Sequence, residues 1–192
     1  MKLALRAALS LGLLAGCTRP SERDGVLTPE VISADSVRPA PDTTRRAPPT
    51  SNASVLTENG LGAIRVGMTA ADAASALGVP TPAAGEACAY LDAAAVADGA
   101  NVMVTDGRVA RIDVLGATLT ASNVGVGSTE AEVTAAYAGR VEAQPHKYTD
   151  GRYLVVTPAD TTRRLVFETD GARVLRYRAG RRPEVEWVEG CS

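Results

Sequence analysis

From residue 55 to the C-terminus the apolar positions follow two periods, and the places where one gives way to the other outline the elements. Ala73, Ala76 and Leu77 recur at i, i+3 and i+4, and so do Val133, Ala136 and Tyr137, which predicts two short amphipathic helices. Thr69 and Thr129 stand before these stripes with Asp72 and Glu132 three residues on, the spacing of a capping box. Gly78, Gly139 and Pro80 supply the stop signals. Alternation then predicts strands over residues 88–92, 101–105 and 108–114 behind the first helix. Behind the second it predicts 153–157, 164–169 and 173–178, with a last strand over 185–188. Parity puts Ala110, Ile112 and Val114 against Arg111 and Asp113, and Leu175 and Tyr177 against Arg176 and Arg178. The expectation is a sheet with one buried and one wet face.

The two series are similar to each other. Residues 64–73 lie over residues 124–133 without a gap, Tyr90-Leu91 over Tyr153-Leu154, and Thr105-Asp106-Gly107 over Thr169-Asp170-Gly171. The expected fold class is therefore α+β, with two tandem helix-plus-antiparallel-sheet repeats over 54–120 and 121–192. About 138 residues suffice for an apolar core without a metal or cofactor.

Upstream the pattern is different. Lys2 and Arg6 precede the apolar run of residues 7–15, and Leu14-Ala15-Gly16-Cys17 follows, which looks like a bacterial lipobox. Residues 1–16 are read as a lipoprotein signal peptide and Cys17 as the lipidated residue. The run is too short to span a hydrocarbon core of about 30 Å, whereas acyl chains on Cys17 would anchor the protein through about 0.8 kcal/mol per buried methylene. Thr18 rather than Asp after the cysteine resembles outer-membrane sorting. Residues 17–53 hold six of the eleven prolines and no aromatic residue, and read as a disordered, proline-rich tether.

The string Gly67-Met68-Thr69, Ala73, Leu77-Gly78 and Pro80 resembles the G-M-T-x-x-x-V-x-x-x-L-G-x-P pattern of the SmpA/OmlA lipoproteins, the BamE family. Ala73 replaces the larger aliphatic, and the second copy has Ser128 for Met and no proline. The tandem arrangement is similar to the secreted beta-lactamase inhibitor proteins. The first resemblance implies support of outer-membrane protein assembly, the second capture of an enzyme on an open sheet face. Such a motif carries fold further than function.

Composition removes several classes. A formal net charge of -2 excludes the basic excess that drives sequence-independent nucleic-acid binding. One histidine and three cysteines leave few ligands for a zinc site, so no metal and no cofactor is expected. With Cys17 lipidated, Cys88 and Cys191 form an even pair, and in an exported protein the pair is read as a disulfide; two separate thiols are the alternative. Of the seven aromatic residues only Tyr90 lies in the first copy, and Tyr148, Tyr153 and Trp187 are the candidate exposed anchors for a partner, with core packing as the competing role. Arg176 and Arg178, within a cluster that includes Arg163, Arg164, Arg173, Arg181 and Arg182, are candidate contacts to an anionic surface or an acidic partner. Charged protection of a strand edge is the simpler account of them. His146 has no nucleophile, paired acid or phosphate loop beside it in sequence, so it is read as a loop or surface histidine and no catalytic residue is assigned. The reading is a non-catalytic envelope lipoprotein, membrane-anchored through Cys17, that binds or helps assemble an unknown envelope protein. An inhibitor of an envelope enzyme and a hydrolase using His146 are the alternatives.

Overall fold

A computed structural model describes residues 54–192. The signal peptide, Cys17 and the tether lie outside the described residues. A small antiparallel sheet opens the domain with β1 (Leu56–Thr57), β2 (Gly60–Leu61) and β3 (Ile64–Arg65). Helix α1 (Ala70–Leu77) leads into β4 (Cys88–Asp92), β5 (Ala100–Thr105) and β6 (Arg108–Val114). Helix α2 (Glu130–Ala136) leads into β7 (Val141–Pro145), β8 (Arg152–Val156), β9 (Arg163–Thr169) and β10 (Val174–Arg181), and a 3-10 turn follows at Glu184–Glu186. The main sheet has seven antiparallel strands in the order β4-β5-β6-β10-β9-β8-β7. The fold is thus mixed α+β, with two helices and two antiparallel sheets.

Both helices begin where the chemistry of their caps requires. The Thr69 hydroxyl accepts the Asp72 amide at 3.1 Å, and the Thr129 hydroxyl accepts the Glu132 amide at 3.2 Å. Only α2 completes the box, with the Glu132 carboxylate accepting the Thr129 amide at 2.7 Å; the shorter Asp72 carboxylate takes the Thr69 hydroxyl instead, at 2.6 Å. Gly78 closes α1 in the left-handed conformation at φ 70°.

Each helix entry is tied to a hairpin by a matching set of bonds. Gly67 and Gly127 donate their amides to the carbonyls of Val109 (2.7 Å) and Val174 (2.8 Å), while Ala70 and Glu130 donate to Gly107 (2.8 Å) and Ala172 (3.1 Å). Arg108 and Arg173 return a bond each to the Gly67 and Gly127 carbonyls, at 2.9 and 2.8 Å. In the sheet, β4-β5-β6 meets β10-β9-β8-β7 at the β6–β10 pair, so the strands following each helix start at an outer edge and end at a common seam.

The core fills the side of the sheet that carries the helices. Ala73, Ala74 and Leu77 of α1, Val133 of α2 and Tyr137 at its C-cap share it with Val102, Ile112, Val114, Leu154, Phe167, Tyr177 and Ala179. Ala74, not Ala76, completes the α1 stripe. Two irregularities correct the expected parity. The register shifts between Met103 and Val104 against β6, so Val109 rather than Ala110 joins Ile112 in the helix-side core. A second shift between Val174 and Arg176 leaves Leu175 exposed, at 57% of its free surface, where burial beside Tyr177 was expected.

The second face of the sheet is not wet. Residues 182–192 cross it as a strap, and no strand forms over 185–188: the predicted alternation there belongs to the 3-10 turn and an irregular crossing. Val185 is fully buried against Tyr153 and Val166, with Val155 and Val188 packed beside them.

Candidate functional site

The strap face holds most of the charged chemistry of the domain. Arg178, expected in solvent, is buried with 4% of its surface free, because the strap lies over it. Its guanidinium pairs with the Glu168 carboxylate and donates through Nε to the Val185 carbonyl at 2.6 Å. Arg176, one turn of the pleat away, keeps its side chain half exposed and reaches the other Glu168 oxygen through Nε at 2.6 Å. Burial pushes the Glu168 carboxyl up, but Arg178 and Arg176 outweigh it, and the net direction is below the ordinary value of 4.5.

Arg111 performs the corresponding task from β6. It donates to the carbonyls of Glu184 (3.1 Å) and Trp187 (2.6 Å), to the Tyr90 hydroxyl (2.9 Å) and to the Asp113 carboxylate (2.9 Å). Asp113 differs from Glu168 in sign: burial raises its pKa above the ordinary 3.8, and Arg111 only offsets part of that. Gly180 pairs with Arg111 across the seam, and a Cβ there would stand 2.4 Å from the Ala110 carbonyl oxygen and 2.8 Å from the Arg111 Cα. Glu184, at the start of the strap, is buried with Oε1 bonded to Arg181 (2.6 Å) and Thr105 (2.9 Å), while its Oε2 has no partner among the described residues.

The far end of the strap is fastened differently. Cys88 on the edge strand β4 and Cys191 are disulfide-bonded, with Cα atoms 5.4 Å apart and 103 residues between them in sequence. Glu189 takes Lys147 at 2.7 Å and the Tyr148 hydroxyl, contacts that hold its exposed carboxyl down to about 2. Between strap and sheet lies a cleft of about 420 Å³, lined by Tyr90, Asn101, Arg111, Asp113 and Leu115 on one side and Val188, Glu189 and Gly190 on the other.

Of the three aromatic candidates, Tyr148 and Trp187 are exposed, at 62% and 39%, whereas Tyr153 is buried. Its ring stacks on His146 at 4.5 Å between centroids and lies under the Arg178 guanidinium. Tyr90 and Leu115, not singled out from sequence, are exposed at the cleft rim. The signal for Leu115 lay in the alternation, since Val114 before it faces the core; Tyr90 lies on the edge strand β4, to which the sequence reading assigned no face.

His146 is in a loop, as expected, but its side chain is buried and not at the surface. Nδ1 accepts the Tyr148 amide at 3.1 Å, which assigns the remaining proton of a neutral ring to Nε2, 3.4 Å from Glu168 Oε2. Glu168 is already engaged by two guanidiniums, so the ring is placed by the cluster and has no nucleophile to activate. No residue cluster with metal-binding geometry occurs among the described residues. No helix among them is long and apolar enough to cross a membrane. No protein-family model, curated protein or solved structure matches this chain.

Proposed function

We propose that this chain is a non-catalytic lipoprotein of the bacterial cell envelope, anchored through Cys17, whose domain binds an envelope protein through the rim of the strap-covered face. The observation that carries the reading is the placement of four exposed large hydrophobics, Tyr90, Leu115, Tyr148 and Trp187, about the outer half of the strap. Aromatic side chains set among polar neighbours are the usual anchors of protein interfaces. The matched bonds at Gly67 and Gly127 support a duplicated helix-plus-sheet unit, and give the G-M-T string a role in helix entry. The disulfide supports an oxidising compartment, in keeping with export. Outer-membrane attachment facing the periplasm, and a BamE-like part in assembly, extend the reading along the resemblance.

An inhibitor presenting a bare sheet is less well supported, because the strap lies over the centre of the sheet's second face. A hydrolase using His146 is less well supported still, since both ring nitrogens face structural partners.

The test is crosslinking in intact cells followed by mass spectrometry, comparing wild type, Cys17→Ser and Tyr90→Ala/Trp187→Ala. The expected result is a defined set of envelope proteins, reduced in the double variant at unchanged melting temperature and altered when the anchor is removed. Capture of the same set by all three forms would remove the rim from the interface.

A further inference from the structure

Every charged group lining the cleft already has its counter-charge: Arg111 with Asp113, Arg176 and Arg178 with Glu168, Glu189 with Lys147. What can change is the cover. The strap is held by two kinds of fastening, and they divide it at Trp187. On the inner side, buried hydrogen bonds run from Arg111 to the Glu184 carbonyl, from Arg178 to the Val185 carbonyl and from Thr105 to Glu184, with part-buried bonds from Arg111 to the Trp187 carbonyl and from Arg181 to Glu184. Buried charge-assisted bonds of this type are strong and costly to break. On the outer side, residues 188–192 are held by the packing of Val188, by the solvent-exposed contacts of Glu189 with Lys147 and the Tyr148 hydroxyl, and by the disulfide. An exposed ion pair contributes little and is screened by salt. Neither cysteine is fully buried, and both line a surface cleft of about 510 Å³ with Trp187, Glu189 and Gly190. The bridge is therefore open to attack by a thiolate without unfolding of the sheet.

We propose that the Cys88–Cys191 bridge is a reversible latch. A dithiol reductant attacks one sulfur, forms a mixed disulfide and closes its own ring. The protein cystine is reduced to two thiols as the dithiol is oxidised to its disulfide, with two electrons and two protons passing to the protein. Residues 188–192 then leave the face, residues 184–187 stay, and the cleft over Tyr90, Arg111 and Asp113 opens. Gly190 fits this cover closely, since a Cβ there would meet the Tyr90 hydroxyl at 2.4 Å. The latch acts on the face read above as a binding surface, but its test reads the strap alone and stands whatever partner is or is not captured.

Trp187 is the only tryptophan of the chain, so its fluorescence reports the strap directly. The full chain is treated with dithiothreitol in the absence of denaturant, alongside untreated protein and Cys191→Ser. The expected result is maleimide labelling of both thiols, a rise in acrylamide quenching of Trp187 as its neighbours at 188–192 leave, and an unchanged far-ultraviolet spectrum. Cys191→Ser should show the raised quenching without reductant, and reoxidation of wild type should restore the original value. Three outcomes overturn the latch: a bridge that resists reduction until the protein unfolds, a sheet that melts on reduction, or quenching that does not change once both thiols are labelled. Should Cys191→Ser fail to fold, reduction and reoxidation of the wild type decide alone.

Discussion

Arg178 and Glu168 pair across β10 and β9 with both side chains buried, and the same guanidinium holds the Val185 carbonyl of the strap. The pair thus joins the sheet to the segment that covers it. Removing Glu168 leaves the buried Arg178 guanidinium without a counter-charge, which costs about 3–5 kcal/mol. Glu168→Ala is expected to fall in that range by urea unfolding, and Arg178→Ala below it, because Arg176 still pairs with Glu168. Glu168→Met combined with Arg178→Met should recover part of the loss, and a double variant no better than the single would show that the cost lies elsewhere.

The two arginine-paired carboxylates Glu168 and Asp113 should respond to pH with opposite signs. The Glu168 pKa is lowered in the folded protein, so its contribution is present above the ordinary 4.5 and is lost as pH falls through the folded value. The Asp113 pKa is raised, so its contribution is present below 3.8 and is lost as pH rises through the folded value. Glu168→Gln should therefore lower stability at neutral pH and flatten its decline in acid. Asp113→Asn should leave neutral stability unchanged or raise it. Stability curves between pH 3 and 7 for the three proteins check both signs.

Gly180→Ala places a methyl group into the β6–β10 seam, against the Ala110 carbonyl. Backbone cannot yield as a flexible side chain does, so the expected loss is about 3 kcal/mol, the upper end of ordinary overpacking. A change below about 1 kcal/mol by thermal or urea unfolding would mean that the two halves of the sheet separate easily.

Thr129→Ala removes a reciprocal cap and should cost about 1 kcal/mol. Thr69→Ala should cost less, because α1 lacks the return bond from its acidic residue to the Thr69 amide. Equal losses would indicate that the return bond contributes nothing.

Replacing both Cys88 and Cys191 by serine opens a loop of 103 residues. Chain-entropy reasoning puts the loss at up to about 4–5 kcal/mol. The expected value is about 2–4 kcal/mol, the ordinary range for such a bridge. The serine variant should remain folded, and its urea midpoint gives the figure.

Several parts of this architecture were legible in the sequence by itself. Caps, apolar stripes and turn residues act over a few positions, so Thr69 and Thr129 located both helices, Asp106-Gly107 located a hairpin, and alternation located six of the strands of the main sheet. Strand β7 and the small sheet of β1 to β3 escaped because their short runs carry no alternation strong enough to read. Which face was wet was a different kind of question. A bulge adds one residue to a strand and reverses its parity, as Leu175 shows, and no local pattern announces it. Nor does any run of residues state that the last eleven will fold back across the sheet, turning Arg178 and Tyr153 from surface groups into buried ones. Local chemistry follows from neighbours in the chain. The strap and the cleft rest on contacts such as Arg111–Trp187 and Cys88–Cys191, 76 and 103 positions apart. Even Arg178–Glu168 and Arg178–Val185, 10 and 7 positions apart, need the strands paired and the strap folded back, which only the tertiary structure decides.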